Sequence, residues 1–180
     1  MTNIKTVLMA LAVASIVAVA SASAYIVLRG ESDTGTIRVF VKDAPEGWSH
    51  VNVTFSRVEI HQADEDEDGN DSGWHNVTIV EGTIDLIPLT NMSKLLAEHE
   101  VPVGKYTQIR IYVLTAVGVM ADGTQVNFTV PSGVLKTNHP FNITSKDSTS
   151  LTVDIDLSKS IVNNGDEWKF TPVMGAIFET

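Results

Sequence analysis

The 180-residue chain contains no cysteine. That excludes a disulfide framework and any thiolate metal site. It is also short of positive charge. Only Lys5 among the 12 Lys and Arg precedes Tyr25, so the part from Tyr25 onward carries 11 basic side chains against 22 acidic ones, a net of −11 with His neutral. Such a balance repels phosphate backbones and excludes nucleic acid as the expected partner, while favouring cations and solubility. The motifs of common catalysis are missing too. His50, His61, His75, His99 and His139 form neither His-x-x-x-His nor His-Glu-x-x-His, no serine stands in Gly-x-Ser-x-Gly, and there is no glycine-rich phosphate loop. No enzymatic activity and no catalytic residue is expected. Neither an internal repeat nor a second domain linker is visible after residue 35.

What the chain does have begins at its N-terminus. Val7 to Leu28 is a run of 22 residues without a charge, preceded by Lys5. At about 1.5 Å per residue it would form roughly 33 Å of helix, enough to cross a hydrocarbon core of ~30 Å. With Lys5 and the terminal amine retained inside, the acidic part would lie outside. The same segment also reads as a signal peptide, because Ala22-Ser23-Ala24 fits a small-residue cleavage site that would leave Tyr25 as the new N-terminus. Either way residues 1–29 are an export or anchor segment, 30–35 a polar linker, and 36–180 an extracytoplasmic domain.

Asparagine use points the same way. Asn52, Asn70, Asn76, Asn91, Asn127 and Asn142 each begin an Asn-x-Ser/Thr acceptor, six of the ten asparagines. With 32 Ser and Thr in the chain, chance predicts about two. A glycoprotein is expected.

From residue 36 the hydrophobic pattern is of period two. Ile37, Val39 and Val41 share one face of a first strand, and Asp43 to Gly47 is a turn cluster. Val51, Val53 and Phe55 alternate, then Val58 and Ile60 continue with opposite parity, which places a bulge near Ser56 or Arg57. Trp74 to Val80 and Thr83 to Leu89 read as two further strands. Thr90 can cap a short helix whose apolar face is Met92, Leu95 and Leu96, ending near Glu98. Tyr106 to Met120 is a long strand, and Asp122-Gly123 signals a hairpin to Gln125–Val130. Phe141–Thr144, Ser150–Leu157 and Trp168–Phe178 complete nine or ten strands, a spacing that implies a β-sandwich or related barrel with one short helix. Asp154 and Asp156 fall on one face of their strand, and so do Glu59 and His61. Both pairs are read as solvated or locally hydrogen-bonded groups, the alternative for Glu59 and His61 being that they flank a metal.

Several segments resemble the domain-of-unknown-function family 4382 of archaeal and bacterial surface proteins. They are Gly35 to Pro45, His50 to His61, Asp85-Leu86, Val101 to Arg110 with its Pro102-Val103-Gly104-Lys105-Tyr106 core, Pro131 to Lys136 and Val153 to Leu157. Their order and spacing cover about residues 35 to 178. The resemblance implies an extracytoplasmic sandwich of transthyretin-like or immunoglobulin-like style, and it implies no activity.

One loop stands out as a ligand site. Asp64-Glu65-Asp66-Glu67-Asp68-Gly69-Asn70-Asp71 sets alternating carboxylates around a glycine turn, and Asp64, Asp66, Asp68 and Asp71 could gather oxygens around Ca²⁺. The pattern departs from an EF-hand, because His75 stands where the bidentate Glu would be and no helices flank the loop. A solvated hairpin tip accounts for the same residues. The chain therefore reads as a membrane-anchored or secreted surface module with a binding or structural role, with other surface proteins or copies of itself as partners. The alternative is a subunit of an extracellular filament. There Tyr25-Ile26-Val27-Leu28, freed by cleavage, would be donated as a strand to a neighbouring copy.

Overall fold

A computed structural model describes residues 33–43, 47–63, 73–165 and 167–180. The N-terminal hydrophobic helix expected over Val7 to Leu28 lies outside the described residues. So do Asp64, Asp66, Asp68, Asp71 and Asn70. Contacts divide the chain into Met1–Asp33 and Thr34–Thr180, and the second unit is mainly β.

Its first strand, β1 (Thr34–Asp43), begins with Thr34 and Gly35 already paired. It forms a four-stranded sheet with β5 (Lys94–Pro102), β10 (Ser148–Ile155) and β13 (Met174–Glu179), in the order β13-β10-β1-β5. β1 and β10 are parallel, and the other two pairings are antiparallel. The seven-stranded sheet is built on β2 (Trp48–Gln62) and β6 (Gly104–Met120), antiparallel from Trp48↔Met120 to Gln62↔Tyr106. β3 (Trp74–Val77) and β4 (Thr83–Asp85) share the outer edge of β2, while β7 (Gln125–Phe128), β8 (Val134–Thr137) and β9 (Phe141–Ile143) share that of β6. β11 (Ile161–Asn163) and β12 (Trp168–Phe170) make a separate hairpin.

The alternating residues face the core as their period requires. Ile37, Val39 and Val41 of β1 and Leu151, Val153 and Ile155 of β10 meet Val51, Val53, Val58 and Ile60 of β2 and Ile109 and Ile111 of β6, and all twelve are fully buried. Burying each such side chain contributes about 1.5–3 kcal/mol, which makes the interior of the sandwich the main source of stability. The register of β2 against β6 shifts between Thr54 and Phe55 and again between Phe55 and Arg57. Ser56 is thereby left unpaired, and the parity change read at Ser56 or Arg57 is a bulge. Asp122-Gly123 closes the β6–β7 hairpin, with Gly123 at φ 85° and the Thr124 N–H donating to Asp122 Oδ1 at 2.9 Å.

At the end of the large sheet an aromatic cluster docks the β11–β12 hairpin. Trp48 meets Phe128 and Trp168 edge-on at 5.2 and 5.1 Å between ring centroids, and Phe128 stacks on Phe170. Gly118 makes room for it, since a Cβ there would come within 2.5 Å of Trp48 and 2.7 Å of Phe128.

The helix expected from Thr90 to Glu98 is not there. A 3₁₀ turn covers Ile87–Asn91, the Thr90 hydroxyl donates back to the Ile87 carbonyl, and Lys94–Pro102 is strand β5. The register of β5 on β1 shifts between Val39 and Phe40, and this turns consecutive Leu96 and Ala97 inward. Two adjacent apolar residues break period two and imitate a helical face. Pairing with β1 outweighs the helix propensity of Lys, Leu, Ala and Glu. Among the described residues the α-helix of the domain is α1 (Leu157–Ser160). Its N-cap is Asp156, which therefore leaves the strand face it was expected to share with Asp154. Asp156 accepts from the Lys159 ammonium and the Ser158 hydroxyl, both at 2.6 Å, and these bonds lower its pKa to about 2. The run expected as one strand from Trp168 to Phe178 is two. Buried Ser160 fixes the turn between them, donating to the Asp156 carbonyl and accepting from the Val173 N–H.

Candidate functional site

The four expected Ca²⁺ ligands lie between Ala63 and Gly73, so the described part of that site is its neck. The Gln62 N–H donates to the Gly73 carbonyl and the Ala63 N–H to the Lys105 carbonyl, each at 2.8 Å. Gly73 turns the chain with φ 94°, a left-handed conformation that glycine takes without strain. The two ends of the loop are thus held by the β2–β3 ladder, in which His61 faces Trp74.

Side chains stiffen this neck on both faces. Inside, fully buried Tyr106 stacks on Phe141 and donates to the Pro102 carbonyl at 2.8 Å, and Gln62 Oε1 lies 3.1 Å from His75 Nε2. Outside, the His61 and Trp74 rings are 4.7 Å apart, and the Arg110 guanidinium lies 3.7 Å over the Trp74 ring. One row further along, Arg57 lies 4.1 Å over Tyr112, and Glu59 accepts from the Tyr112 hydroxyl at 2.7 Å and pairs with Arg57 at 3.3 Å. Glu59 is therefore engaged with Tyr112 and Arg57. His61 Nδ1 lies 3.4 Å from the Thr107 hydroxyl. The structure does not draw Glu59 and His61 into a metal pair, and among the described residues no group of three or more His, Asp or Glu is placed to hold a metal.

No spacing in the sequence identifies this ladder of Arg57, Glu59, Tyr112, Arg110, Trp74 and His61 as a unit. Its signal was present in the polar parity of Arg57, Glu59 and His61 on one strand and Arg110 and Tyr112 on another. What was missing was the register that sets Glu59 opposite Arg110 and Arg57 opposite Tyr112.

The six acceptor asparagines divide by exposure. Asn76, Asn127 and Asn142 are exposed, whereas Asn52 is half-buried between Asp85 and Val117 in the middle of the large sheet. Asn70 and the side chain of Asn91 lie outside the described residues. An oligosaccharide needs a clear approach to the amide nitrogen, so geometry favours the first three over Asn52.

His50 and Asp85 are 2.7 Å apart, the spacing of a His–carboxylate catalytic pair. The other bonds of Asp85 give it a structural task. Its Oδ1 accepts from the Val51 N–H at 3.0 Å and the Ile87 N–H at 3.2 Å, tying β2 to β4 and to the start of the 3₁₀ turn. Partial burial pushes the Asp85 pKa up, but the bonds from His50, Val51 and Ile87 outweigh it and leave the carboxyl below its usual value of 3.8. A group with a depressed folded pKa contributes its full stability above the unfolded pKa and loses it as pH falls through the folded one.

Asp85→Ala is therefore expected to destabilise the domain by about 2 kcal/mol at neutral pH, the scale of charge-assisted bonds left unmade. It should also make the loss of melting temperature below pH 4 shallower than in the parent. Thermal melts followed by circular dichroism between pH 2.5 and 7 check both, and an unchanged profile would show that the tie is idle.

A family model described as a domain of unknown function (DUF4382) matches residues 34–172. No curated protein and no solved structure matches the chain.

Proposed function

We propose, for a chain that belongs to the family described as a domain of unknown function (DUF4382), an extracytoplasmic role. It is a cell-surface β-sandwich module, anchored in the membrane or secreted through its N-terminal segment, and it acts in binding or structure rather than catalysis. The observation that carries this reading is the excess of glycosylation acceptors together with the exposure of Asn76, Asn127 and Asn142 on the described surface. The uncharged run Val7 to Leu28 and the acidic, cysteine-free remainder support it. Among the described residues no helix is long and apolar enough to cross a membrane, so any anchoring falls to that run. Expressed with its own N-terminus in its source cell, the chain should fractionate with membranes or medium. The full-length chain free in the cytosol would overturn the reading.

Within that role the acidic loop is a Ca²⁺ site, with Asp64, Asp66, Asp68 and Asp71 as ligands. Support comes from the neck, where Gln62 and Gly73 are already hydrogen-bonded. Pre-joined ends lower the ordering cost of closing around an ion. Extracellular modules bind Ca²⁺ with Kd values of roughly 10⁻⁴ to 10⁻³ M. At Ca²⁺ equal to Kd the gain is only about 0.4 kcal/mol, and it grows with concentration. Melting temperature should therefore rise progressively with millimolar Ca²⁺, and changing Asp64, Asp66 and Asp68 together to Asn should abolish the rise. Calorimetry without binding up to several millimolar, or a triple variant that responds like the parent, would reduce the loop to a solvated tip.

A second reading, strand donation into a filament, is favoured by one observation. β13 pairs with β10 on one side, and among the described residues no strand pairs with its other edge. An open edge on the C-terminal strand is where a donated Tyr25-Ile26-Val27-Leu28 segment could add.

A further inference from the structure

The outer face of the four-stranded sheet carries a pocket that neither the acidic loop nor the glycosylation acceptors use. Register sets Phe178 of β13, Thr152 of β10, Phe40 of β1 and Leu95 of β5 in one row across the sheet, with Lys42 of β1 two residues beyond Phe40. The segment between the 3₁₀ turn and β5 borders this face. The result is an open pocket of about 380 Å³ lined by Lys42, Thr90, Met92, Ser93, Thr152 and Phe178. That volume is within the range of small-ligand sites.

The lining is chemically selective. It holds one ammonium, three hydroxyls and two unburied apolar groups, since Met92 is 61% exposed and Phe178 47%. It contains no carboxylate, in a domain where acidic side chains outnumber basic ones two to one. The neighbouring cations are neutralised, Arg38 by Glu98 and Lys94 by Glu81. Register puts Asp154 beside Lys42, yet among the described residues no carboxylate pairs with Lys42. Its ammonium rests instead 4.0 Å from the centroid of the Phe178 ring, an exposed contact of modest strength that an anion can replace. Hydroxyls suit a polyol, an exposed phenyl and thioether suit the C–H face of a sugar ring, and the ammonium suits a carboxylate.

We propose that this pocket binds a carboxylated sugar, a uronic acid, with its carboxylate on Lys42, its ring against Phe178 and Met92, and its hydroxyls on Thr90, Ser93 and Thr152. This site is independent of the Ca²⁺ reading and of glycosylation of the chain itself. The test is a titration of the full-length, isotopically labelled chain in detergent with glucuronate, glucose and acetate, following the backbone amides of Ser93 and Thr152 by NMR. Glucuronate should give saturable shifts in the millimolar range, and glucose and acetate should each bind about tenfold or more weakly, the loss of about 1.4 kcal/mol. Lys42→Gln, a change on the exposed face, should weaken glucuronate to the level of glucose, and Phe178→Ala should weaken both sugars. A glucuronate oligomer that binds tighter than the monomer identifies a polysaccharide as the source, and equal binding identifies the free acid. Absence of saturation, equal affinity for glucose and glucuronate, or a Lys42→Gln variant that binds like the parent overturns the proposal.

Discussion

The antiparallel pairing of β2 with β6 is the contact on which the rest of the domain depends. It runs from Trp48↔Met120 to Gln62↔Tyr106 and gives every other strand of the large sheet its edge to join. The inward side chains of these two strands form one wall of the core, and their outward ones form the Arg–aromatic ladder. Their two ends carry two closely packed features. One is the aromatic cluster around Gly118, and the other is the tied neck below the acidic loop. A bulge at Ser56 keeps both halves of β2 facing inward although the sequence changes parity there.

Electrostatics follows from the same frame. The domain is strongly acidic, but its described carboxylates are mostly held in place. Asp85 joins two strands and a turn, Asp156 caps α1, Glu98 pairs with Arg38 of neighbouring β1, Glu81 with Lys94 of β5, and Glu59 with Arg57 of its own strand. Six acidic side chains within Asp64–Asp71 are what would make a hard cation favourable at that loop. The Lys42 pocket is its counterpart, a cation on a sheet face with an aromatic ring as its neighbour.

Sequence made the architecture legible wherever local and long-range preferences agree. The alternation of Ile37, Val39 and Val41, the parity change before Val58 and the Asp122-Gly123 turn each specify a feature that the structure has, because strand period and turn chemistry are local properties. The segment after Thr90 misled because a β-bulge brings Leu96 and Ala97 to the core together, a consequence of pairing with β1 some 60 residues earlier in the chain. The candidate sites were less legible for the same reason. Composition revealed the acidic loop and the acceptor asparagines, each readable within a few residues. The Lys42 pocket draws on β1, β10, β13 and the segment before β5, and no spacing rule connects Lys42 with Thr152 and Phe178.

The proposed place of this sandwich is outside the cell. The most direct test of that placement is glycopeptide mass spectrometry of the chain purified from its source organism. Glycan is expected on the exposed acceptors Asn76, Asn127 and Asn142, with Asn52 the least occupied. Unmodified asparagine at all of the acceptors, on a chain that keeps its N-terminus and is recovered from the cytosol, would contradict it.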